Sequence, residues 1–249
     1  MPYTAEPTHS PTATALLDTW EQGRGHCAEI QALLLLRLVR PDLDQKQAAA
    51  IPLGERDYQL LQLRQKLYGR QLPVVDACPH CGAKVEFTLD VPQLCERHRL
   101  SEPEAITTDA DWSWRRRLPN TTDLLELRRR NPEDPVAFLF NRCISDLHKD
   151  GNAIDNPPDL PSEIRKTLGD RLLGDDPLAE ILIDLSCPAC QLSWSALMEV
   201  SQFLWQELER HARRLVQEVD LLARTYGWTE QTILQLSPQR RATYVALAS

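Results

Sequence analysis

Along most of the chain the apolar positions recur every three or four residues, which predicts amphipathic helices. The predicted helices lie at about 16–22, 28–39, 53–68, 121–130, 134–147, 161–173, 200–226, 229–234 and 238–247. Thr121 or Thr122 is the expected N-cap residue of the helix at 121–130. In the helix at 161–173 we expect Ile164, Leu168 and Leu172 to face inward. The segment 200–226 keeps its apolar positions on one face over its whole length, so we interpret it as a core helix.

Four shorter segments have the composition or the strict alternation of strands, and they form two pairs: 72–77 with 84–91, and 179–185 with 192–197. Within 84–91, Val85, Phe87 and Leu89 fall on one face, while Glu86 and Thr88 fall on the other. This alternation predicts a half-buried strand. We also expect 112–118 to be an extended segment that ends at Pro119.

A C-x-x-C pair separates the two predicted strands of each pair. The pairs are Cys78-Pro-His-Cys81 and Cys187-Pro-Ala-Cys190. A C-x-x-C turn holds two sulfurs on one side of a tight loop, and two such turns complete a tetrahedral zinc site. We therefore predict that these four cysteines bind one Zn²⁺. A closed four-thiolate site has no position for water, so its predicted role is structural.

These patterns predict an α+β fold, mainly helical, around a small split zinc ribbon with two C-P-x-C knuckles. The predicted domains are a disordered tail (1–14), N-terminal helices (15–72), the ribbon (73–91 and 179–199), an inserted helical module (92–178) and C-terminal helices (200–249). Trp112 and Trp114 in the insertion either cover the ribbon or serve as an anchor for a partner.

The net charge of −8 argues against a nucleic-acid binder, whose phosphate contacts need a basic surface. A local basic patch is still an alternative, because residues 115–117 and 128–130 are all arginine. We interpret both runs as solvated faces. Residues 1–12 do not resemble a secretory signal, and no apolar run is long enough to span a bilayer. We expect a cytoplasmic protein with reduced thiols.

Redox chemistry is the rival interpretation of the first cysteine pair. C-P-H-C is also the active-site tetrapeptide of strongly oxidising thioredoxin-fold enzymes, in which the first cysteine lies at a helix N-terminus. The residues after Cys81 alternate like a strand, which favours zinc. We interpret Cys27, Cys95 and Cys143 as ordinary thiols and His80 as an exposed side chain. With no Gly-rich phosphate loop and no recognisable catalytic set, we expect no enzymatic activity.

Several stretches together carry a family resemblance, and their order matters as much as their content. They are Leu53-Gly-Glu-Arg-Asp57, Ala77-Cys-Pro-x-Cys-Gly82, Arg117-Leu-Pro119, Leu185-x-Cys-Pro-x-Cys190, Phe203-Leu-Trp-x-Glu207, Ala223-x-x-Tyr-Gly-Trp228 and Ile233-Leu-x-Leu-Ser-Pro-x-Arg-Arg241. Over about residues 15–247 the pattern resembles the baseplate hub assembly protein family of T4-like contractile phage tails, also found in contractile injection systems. The family's cysteines map onto Cys78, Cys81, Cys187 and Cys190.

The resemblance implies a non-enzymatic chaperone that builds the baseplate hub through protein–protein contacts. Its implied partners are baseplate hub, spike or tail-tube proteins, and it acts in the cytoplasm or stays in the assembled particle. Two alternatives come from other functional classes. One is a zinc-ribbon adaptor or regulator that contacts nucleic acid through the arginine runs, and the weaker one is a thiol–disulfide oxidoreductase using Cys78 and Cys81.

Overall fold

The computed structural model describes residues 11–99, 104–109, 111–154 and 162–248. The chain divides into two compact units, one of Met1–Asp42 with Ser201–Ser249 and one of Leu43–Val200. Both predicted cysteine pairs and the segment between them belong to the second unit. None of the helices in the described part combines the length and the apolar character needed to cross a membrane.

The architecture mixes helices and strands. The helices are α1 (Ala13–Gly23), α2 (Ala28–Val39), α3 (Gln45–Ala49), α4 (Leu53–Tyr68), α5 (Val91–Cys95), α6 (Thr121–Arg130), α7 (Pro135–Cys143), α8 (Ser162–Asp175), α9 (Val200–Tyr226), α10 (Glu230–Leu234) and α11 (Pro238–Ala248). The strands are β1 (Gln71–Ala77), β2 (Lys84–Asp90), β3 (Glu104–Asp109), β4 (Trp112–Arg117), β5 (Ile144–Lys149), β6 (Asn152–Ala153), β7 (Leu182–Ser186) and β8 (Ser193–Leu197).

In the first unit, α9 contacts both α1 and α11. A Cβ at Gly23 would overlap the indole of Trp205, so the absence of a side chain at Gly23 allows α1 to approach α9 closely. Nε of the buried Arg241 donates a 2.7 Å hydrogen bond to Glu218 and joins α11 to α9. The C-terminal end of the predicted apolar stripe is less buried than expected, because Tyr226 is exposed at the end of the helix.

The tail predicted for residues 1–14 needs one correction at its end. Thr12 accepts a hydrogen bond from the backbone N–H of Ala15 and caps α1, which begins at Ala13. Residues 1–10 lie outside the described part of the chain. A polar residue at the N-cap position satisfies an N–H that the first helical turn would otherwise leave unpaired.

In the second unit, β1 pairs with β2 and β7 pairs with β8, both antiparallel. The two predicted strand pairs are therefore confirmed. The segment between them was predicted to be a helical module. It contains α5, α6, α7 and α8 but also the antiparallel sheet β3-β4-β5-β6, so the prediction is incomplete. Trp114 is buried in the core of this inserted module with Phe140, Ile144 and Leu147. Trp112 is partly buried and packs against the same cluster. The buried Trp114 therefore belongs to the core of the module and is not an exposed anchor.

Strand β5 was predicted as the end of a helix running to residue 147. Helix α7 instead stops at Cys143, and Ile144 begins β5. The pairing of β4 with β5 shifts by one residue between Ser113 and Arg115, and Asp146 has a positive φ of 49°. An extra residue in a strand is a β-bulge. Because of it, Ile144 and Leu147 reach the same core although they are three positions apart, a spacing that resembles a helix.

Helix α4 was predicted to be amphipathic, but most polar residues of its first three turns are buried, and the exposed ones, Gln65 and Lys66, lie in its last turn. Glu55, Arg56, Asp57, Gln59 and Arg64 are each at most 8% exposed. Buried polar groups need partners. Arg56 contacts Asp57 and Thr121, and Glu55 lies 2.7 Å from the Nε2 atom of His98. The Leu53-Gly-Glu-Arg-Asp57 stretch thus connects α4 with other parts of the second unit.

The N-terminus of α4 is capped from far along the chain. Pro52 occupies the N-cap position and offers no capping side chain. Instead, the backbone N–H of Gly54 donates a 2.9 Å hydrogen bond to Oδ2 of Asp176, and the backbone N–H of Leu53 donates to the carbonyl of Pro119. A carboxylate at a helix N-terminus also interacts favourably with the helix dipole. We call the contact between Gly54 and Asp176 the α4 cap.

Capping side chains differ from the prediction at α6 as well. Thr121 or Thr122 was predicted as the N-cap residue, but Asn120 takes this position and forms a capping box with Asp123. The predicted helix at 161–173 corresponds to α8, which ends at Asp175, while residue 161 lies outside the described part. The side chains of Ile164 and Leu168, predicted to face inward, are also outside it; Leu172 does pack on the inserted module's core.

The α4 cap requires glycine at position 54, because a Cβ there would overlap the Asp176 carboxylate. We expect Gly54→Ala to lower the free energy of unfolding by about 1–3 kcal/mol, the usual cost of overpacking. Urea denaturation measures the change. Gly169→Ala is the matched control, because Gly169 also lies in a helix and has open space around it. Alanine should there be neutral or stabilise by up to about 1 kcal/mol. Equal effects of both substitutions would contradict the α4 cap.

The Asp176 carboxyl should also make stability depend on pH. Burial raises its pKa to about 6 from the ordinary 3.8, although the hydrogen bond from Gly54 acts in the opposite direction. The folded protein therefore binds this proton more tightly than the unfolded chain does, so the contribution of Asp176 to stability falls as the pH rises from about 4 to about 6.

Asp176→Asn keeps an oxygen that can accept from Gly54 but removes the buried charge. We expect it to stabilise the protein at pH 8 by about 1–3 kcal/mol and to lose about 1 kcal/mol of that gain by pH 5. Urea denaturation of both proteins across this range measures the difference. Asp123→Asn is the control, because Arg117 and Arg142 hold the pKa of the buried Asp123 carboxyl below its ordinary value despite the desolvation that opposes them. It should destabilise throughout this range.

Candidate metal centre

The two cysteine pairs occupy the turns of hairpins β1–β2 and β7–β8, and the two turns have the same backbone hydrogen bonds. The N–H of Cys78 donates to the carbonyl of Ala83 at 2.9 Å, and the N–H of Cys187 donates to that of Leu192 at 2.8 Å. Inside each turn, the N–H of the residue after the second cysteine donates to the carbonyl of the first cysteine. Each hairpin therefore presents its two sulfurs from a turn of the same construction.

The residue after each pair must adopt a left-handed conformation. Gly82 has a φ of 71°, and Gln191 takes the same position in the second turn with a φ of 61°. Glycine adopts this conformation without steric cost, whereas a residue with a Cβ does not. The side-chain amide of Gln191 donates to the carbonyl of Pro188 at 3.2 Å, which helps to hold the second turn.

The structure brings the four sulfurs together. Sγ of Cys78 lies 3.6 Å from Sγ of Cys190, and Sγ of Cys81 lies 3.6 Å from Sγ of Cys187. All four Sγ atoms lie within 4.8 Å of one another. Four thiolates around one zinc ion at a Zn–S distance of about 2.3 Å would be roughly 3.8 Å apart. The cluster therefore has the size that a tetrahedral metal site requires.

The close contacts also pair the hairpins crosswise. The first cysteine of each turn faces the second cysteine of the other turn, so neither hairpin could complete the cluster alone. Cys81 and Cys187 are 106 positions apart in the sequence. A second contact joins the same hairpins, because Nε1 of Trp194 on β8 donates a 3.2 Å hydrogen bond to Oδ2 of Asp76 on β1.

Burial differs among the four cysteines. Cys78 and Cys187, which end the incoming strands, are 2% and 1% exposed. Cys81 is exposed and Cys190 is half-buried, so one side of the cluster is open to solvent. His80 is also exposed, and the metal-binding group consists of the four cysteines without it.

The pKa values of the four thiols are shifted in different directions. The backbone N–H of Cys190 donates to the Cys187 sulfur and, against the effect of burial, lowers the Cys187 pKa to about 7. The pKa of Cys190 rises to about 12, because burial and the neighbouring thiols outweigh a hydrogen bond from the N–H of Leu192. Crowded thiols thus resist losing all their protons together. A divalent cation bound among them would neutralise that negative charge, and the residues fit Zn²⁺.

The remaining described cysteines lie elsewhere. Burial raises the pKa of Cys95 and of Cys143 to about 11, so both thiols are protonated at neutral pH. Cys27 occupies the N-cap position of α2 and makes no capping hydrogen bond with its side chain. The four-cysteine cluster is therefore the chemically distinctive site of the second unit.

Comparison with known protein families identifies the family of the chain that carries this cluster. A model of the T4 bacteriophage base plate protein family matches residues 28–205. The chain belongs to this family. The match includes all four clustered cysteines and the whole inserted module of the base plate protein. Searches of curated proteins and of solved structures found no match. The resemblance to baseplate proteins of T4-like phages, drawn from the sequence motifs, is thus confirmed.

Some residues that shape the site were not predicted from the sequence. Gln191 has no local signal for a left-handed conformation, although its position matches that of Gly82. Asp76 and Trp194 lie on predicted strands, and no local pattern indicates that they contact each other. The α4 cap had one indirect signal: Pro52 cannot cap the helix that begins after it, so the first N–H groups needed a distant acceptor.

The cluster predicts that single cysteine substitutions in this base plate protein have position-specific effects. We expect Cys81→Ser and Cys187→Ser to lose bound zinc, to lower soluble yield and to unfold the hairpins, because three thiolates no longer close a tetrahedral site. Zinc per chain is measured by atomic emission after gel filtration, and folding by circular dichroism.

Cys143→Ser is the control, because Cys143 is buried in the inserted module and lies outside the cluster. It should keep one zinc per chain and near-normal yield. If all three variants retained zinc, or if all three lost it, the four cysteines would not form the metal site.

Proposed function

We propose that the chain is a non-enzymatic assembly protein, a chaperone, of the baseplate hub in a contractile phage tail or phage-like injection system. The observation that carries this proposal is the base plate family match over residues 28–205, which includes both cysteine hairpins. A protein that guides assembly acts through surfaces, so the proposed activity consists of contacts with baseplate hub, spike or tail-tube proteins.

The structural part of the proposal is a split zinc ribbon in a mainly helical protein. The four thiols of Cys78, Cys81, Cys187 and Cys190 would hold one Zn²⁺, which stabilises the pairing of the two hairpins. Metal binding to a site that exists only in the folded chain stabilises that fold. The proposed ion therefore has a structural role and keeps both ends of the inserted module together.

The nucleic-acid alternative is weakened by how the arginine runs are paired. Arg115 contacts Asp146, Arg116 contacts Asp175, and Arg117 contacts Asp123. Phosphate binding favours an excess of positive charge, and these three guanidiniums already face carboxylates. We therefore keep protein partners in the proposal.

The oxidoreductase alternative is weakened by the elements that follow the cysteine pairs. An activated C-x-x-C thiol of the thioredoxin kind lies at a helix N-terminus. Here Cys81 precedes β2 and Cys190 precedes β8. We propose that the protein works in the cytoplasm during assembly. The alternative location is the finished particle, in which the protein would be retained.

Deletion of the gene in a strain that produces the contractile particle tests the proposal. We expect electron micrographs to show few or no complete baseplates, and wild-type protein supplied in trans should restore them. A tagged chain should co-purify with hub, spike or tail-tube proteins. Mass spectrometry of purified particles then separates a chaperone, absent from them, from a retained component.

The Cys187→Ser variant serves as the complementation control. It should fail to restore baseplates, whereas Cys143→Ser should restore them. Normal baseplates in the deletion strain, or a tagged chain that binds no tail component, would contradict the proposed function.

A further inference from the structure

The four-cysteine cluster contains two direct sulfur contacts, and both run from one hairpin to the other. Sγ of Cys78 lies 3.6 Å from Sγ of Cys190, and Sγ of Cys81 lies 3.6 Å from Sγ of Cys187. We call these two contacts the crossed pairs. They have no cysteine in common, so both can form a covalent bond in the same molecule.

The crossed pairs need little movement to become disulfides. Two bonded sulfurs lie about 2.05 Å apart, so each pair must close by about 1.5 Å. Small rotations about the Cα–Cβ bonds of both cysteines supply a movement of this size. The strands that carry the cysteines can therefore keep their pairing while the sulfurs join.

The two hairpins also have a contact that involves no sulfur. Nε1 of Trp194 on β8 donates a 3.2 Å hydrogen bond to Oδ2 of Asp76 on β1. Asp76 precedes Cys78 by two residues, and Trp194 follows Cys190 by four. This contact does not depend on a metal ion, so it helps to keep the crossed pairs adjacent when the thiols are free to react.

One sulfur of the cluster is open to a small oxidant. Cys81 is exposed, whereas its partner Cys187 is 1% exposed and Cys78 is 2% exposed. Oxidation of a cysteine requires access to its sulfur. The crossed pair of Cys81 and Cys187 therefore combines one accessible sulfur with one that is shielded from solvent and in contact with it.

We propose that the crossed pairs are a redox-sensitive link, which a peroxide converts into two disulfides between the hairpins. Cys81–Cys187 forms first and Cys78–Cys190 second. Once Cys81 and Cys187 are bonded to each other, two thiolates are left, which are too few for a closed tetrahedral site. The loss of zinc rests on the metal site of the proposed function, whereas the pairing of the sulfurs rests on the geometry alone.

The bond changes balance with one hydrogen peroxide for each disulfide. The Cys81 thiolate attacks a peroxide oxygen, the O–O bond breaks, and a sulfenic acid and a hydroxide form. The Cys187 thiolate then attacks the Cys81 sulfur and displaces the second hydroxide. Both hydroxides take up protons and become water. The two sulfurs thus give two electrons to the peroxide, and the second crossed pair reacts with another peroxide in the same way.

The competing product is a disulfide inside each C-P-x-C turn, as in thioredoxin-fold enzymes. It would leave the hairpins without a covalent connection. The crossed contacts favour the other product, because each sulfur of the cluster already touches a sulfur of the opposite hairpin. The two products therefore have opposite consequences for the inserted module, whose ends stay joined only if the bonds run between the hairpins.

The surroundings decide which form is populated. Thiols stay reduced in the cytoplasm, where the proposed assembly takes place, so we expect the metal-bound form there. A particle released from the cell meets oxidising conditions, under which disulfides between the hairpins would replace the metal.

The test treats the full-length, zinc-loaded chain with hydrogen peroxide. A chromogenic chelator measures the zinc that is released, and trypsin digests the product without prior reduction. Tryptic cleavage places the first cysteine pair in peptide 71–84 and the second in peptide 172–210. Disulfides between the hairpins join these two peptides, whereas disulfides inside the turns leave them separate, and mass spectrometry distinguishes the two products.

We expect zinc release and the joined peptides to appear together. In the presence of EDTA, the oxidised chain should melt about 5–15 °C above the reduced chain, because a disulfide that closes a long loop restricts the unfolded state. Circular dichroism measures both transitions. Separate peptides, zinc release without disulfides, or no reaction with peroxide would overturn the proposal.

Two double variants assign the pairing, and each keeps one cysteine from each hairpin. Cys78→Ser with Cys190→Ser keeps the crossed pair of Cys81 and Cys187. Cys81→Ser with Cys190→Ser is the matched control and keeps the two buried cysteines. The first variant should form its disulfide at least about 5-fold faster than the control. Equal rates, or a faster control, would contradict the crossed pairing. If either variant is unfolded, fragment ions of the joined wild-type peptides identify the bonded cysteines instead.

Metal analysis and complementation separate this proposal from the proposed function. If the purified chain holds no zinc, the metal site of the proposed function fails, and the peptide map of the metal-free chain still decides the pairing. If the chain holds zinc and restores baseplates but its oxidised peptides stay separate, the redox-sensitive link is wrong although the proposed function stands.

Discussion

The convergence of four sulfurs from two distant hairpins is the constraint on which the second unit of this base plate protein depends. Cys78 and Cys81 meet Cys187 and Cys190 across a separation of 106 positions or more. Closing so long a loop costs conformational entropy, which a shared metal ion would offset. Once the hairpins are paired, the inserted module must start and finish at neighbouring points, whatever its own fold.

A second long-range contact holds the end of that module. Asp176 lies just after α8 and caps α4, which comes before the first hairpin. Burial makes its negative charge costly, while Asp123 in the same unit is equally buried but faces two guanidiniums. The two carboxyls therefore have opposite pKa shifts for one physical reason: desolvation dominates unless a positive charge compensates for it.

The local pattern predicted most elements but not how they combine. Both hairpins, the extended segment at β4 and the long helix α9 were predicted near their observed positions, because each depends on the spacing of apolar residues within one segment. Strand β5 was mistaken for helix since its bulge gives Ile144 and Leu147 a spacing of three. The polar residues of α4 suggested a solvated face, but their partners, such as His98 and Thr121, lie on other elements.

Short motifs in the amino-acid sequence were enough to predict the four clustered cysteines, the two hairpins that carry them and the resemblance to the base plate family. These are encoded in short motifs whose geometry depends on neighbouring residues. Three features became visible only in the folded chain: the four-stranded sheet of the insertion, the capping of α4 by Asp176, and the pairing of the arginine runs with carboxylates. Many of these contacts join positions that are far apart in the sequence. The propensity and periodicity of a segment do not specify which distant residues that segment will contact.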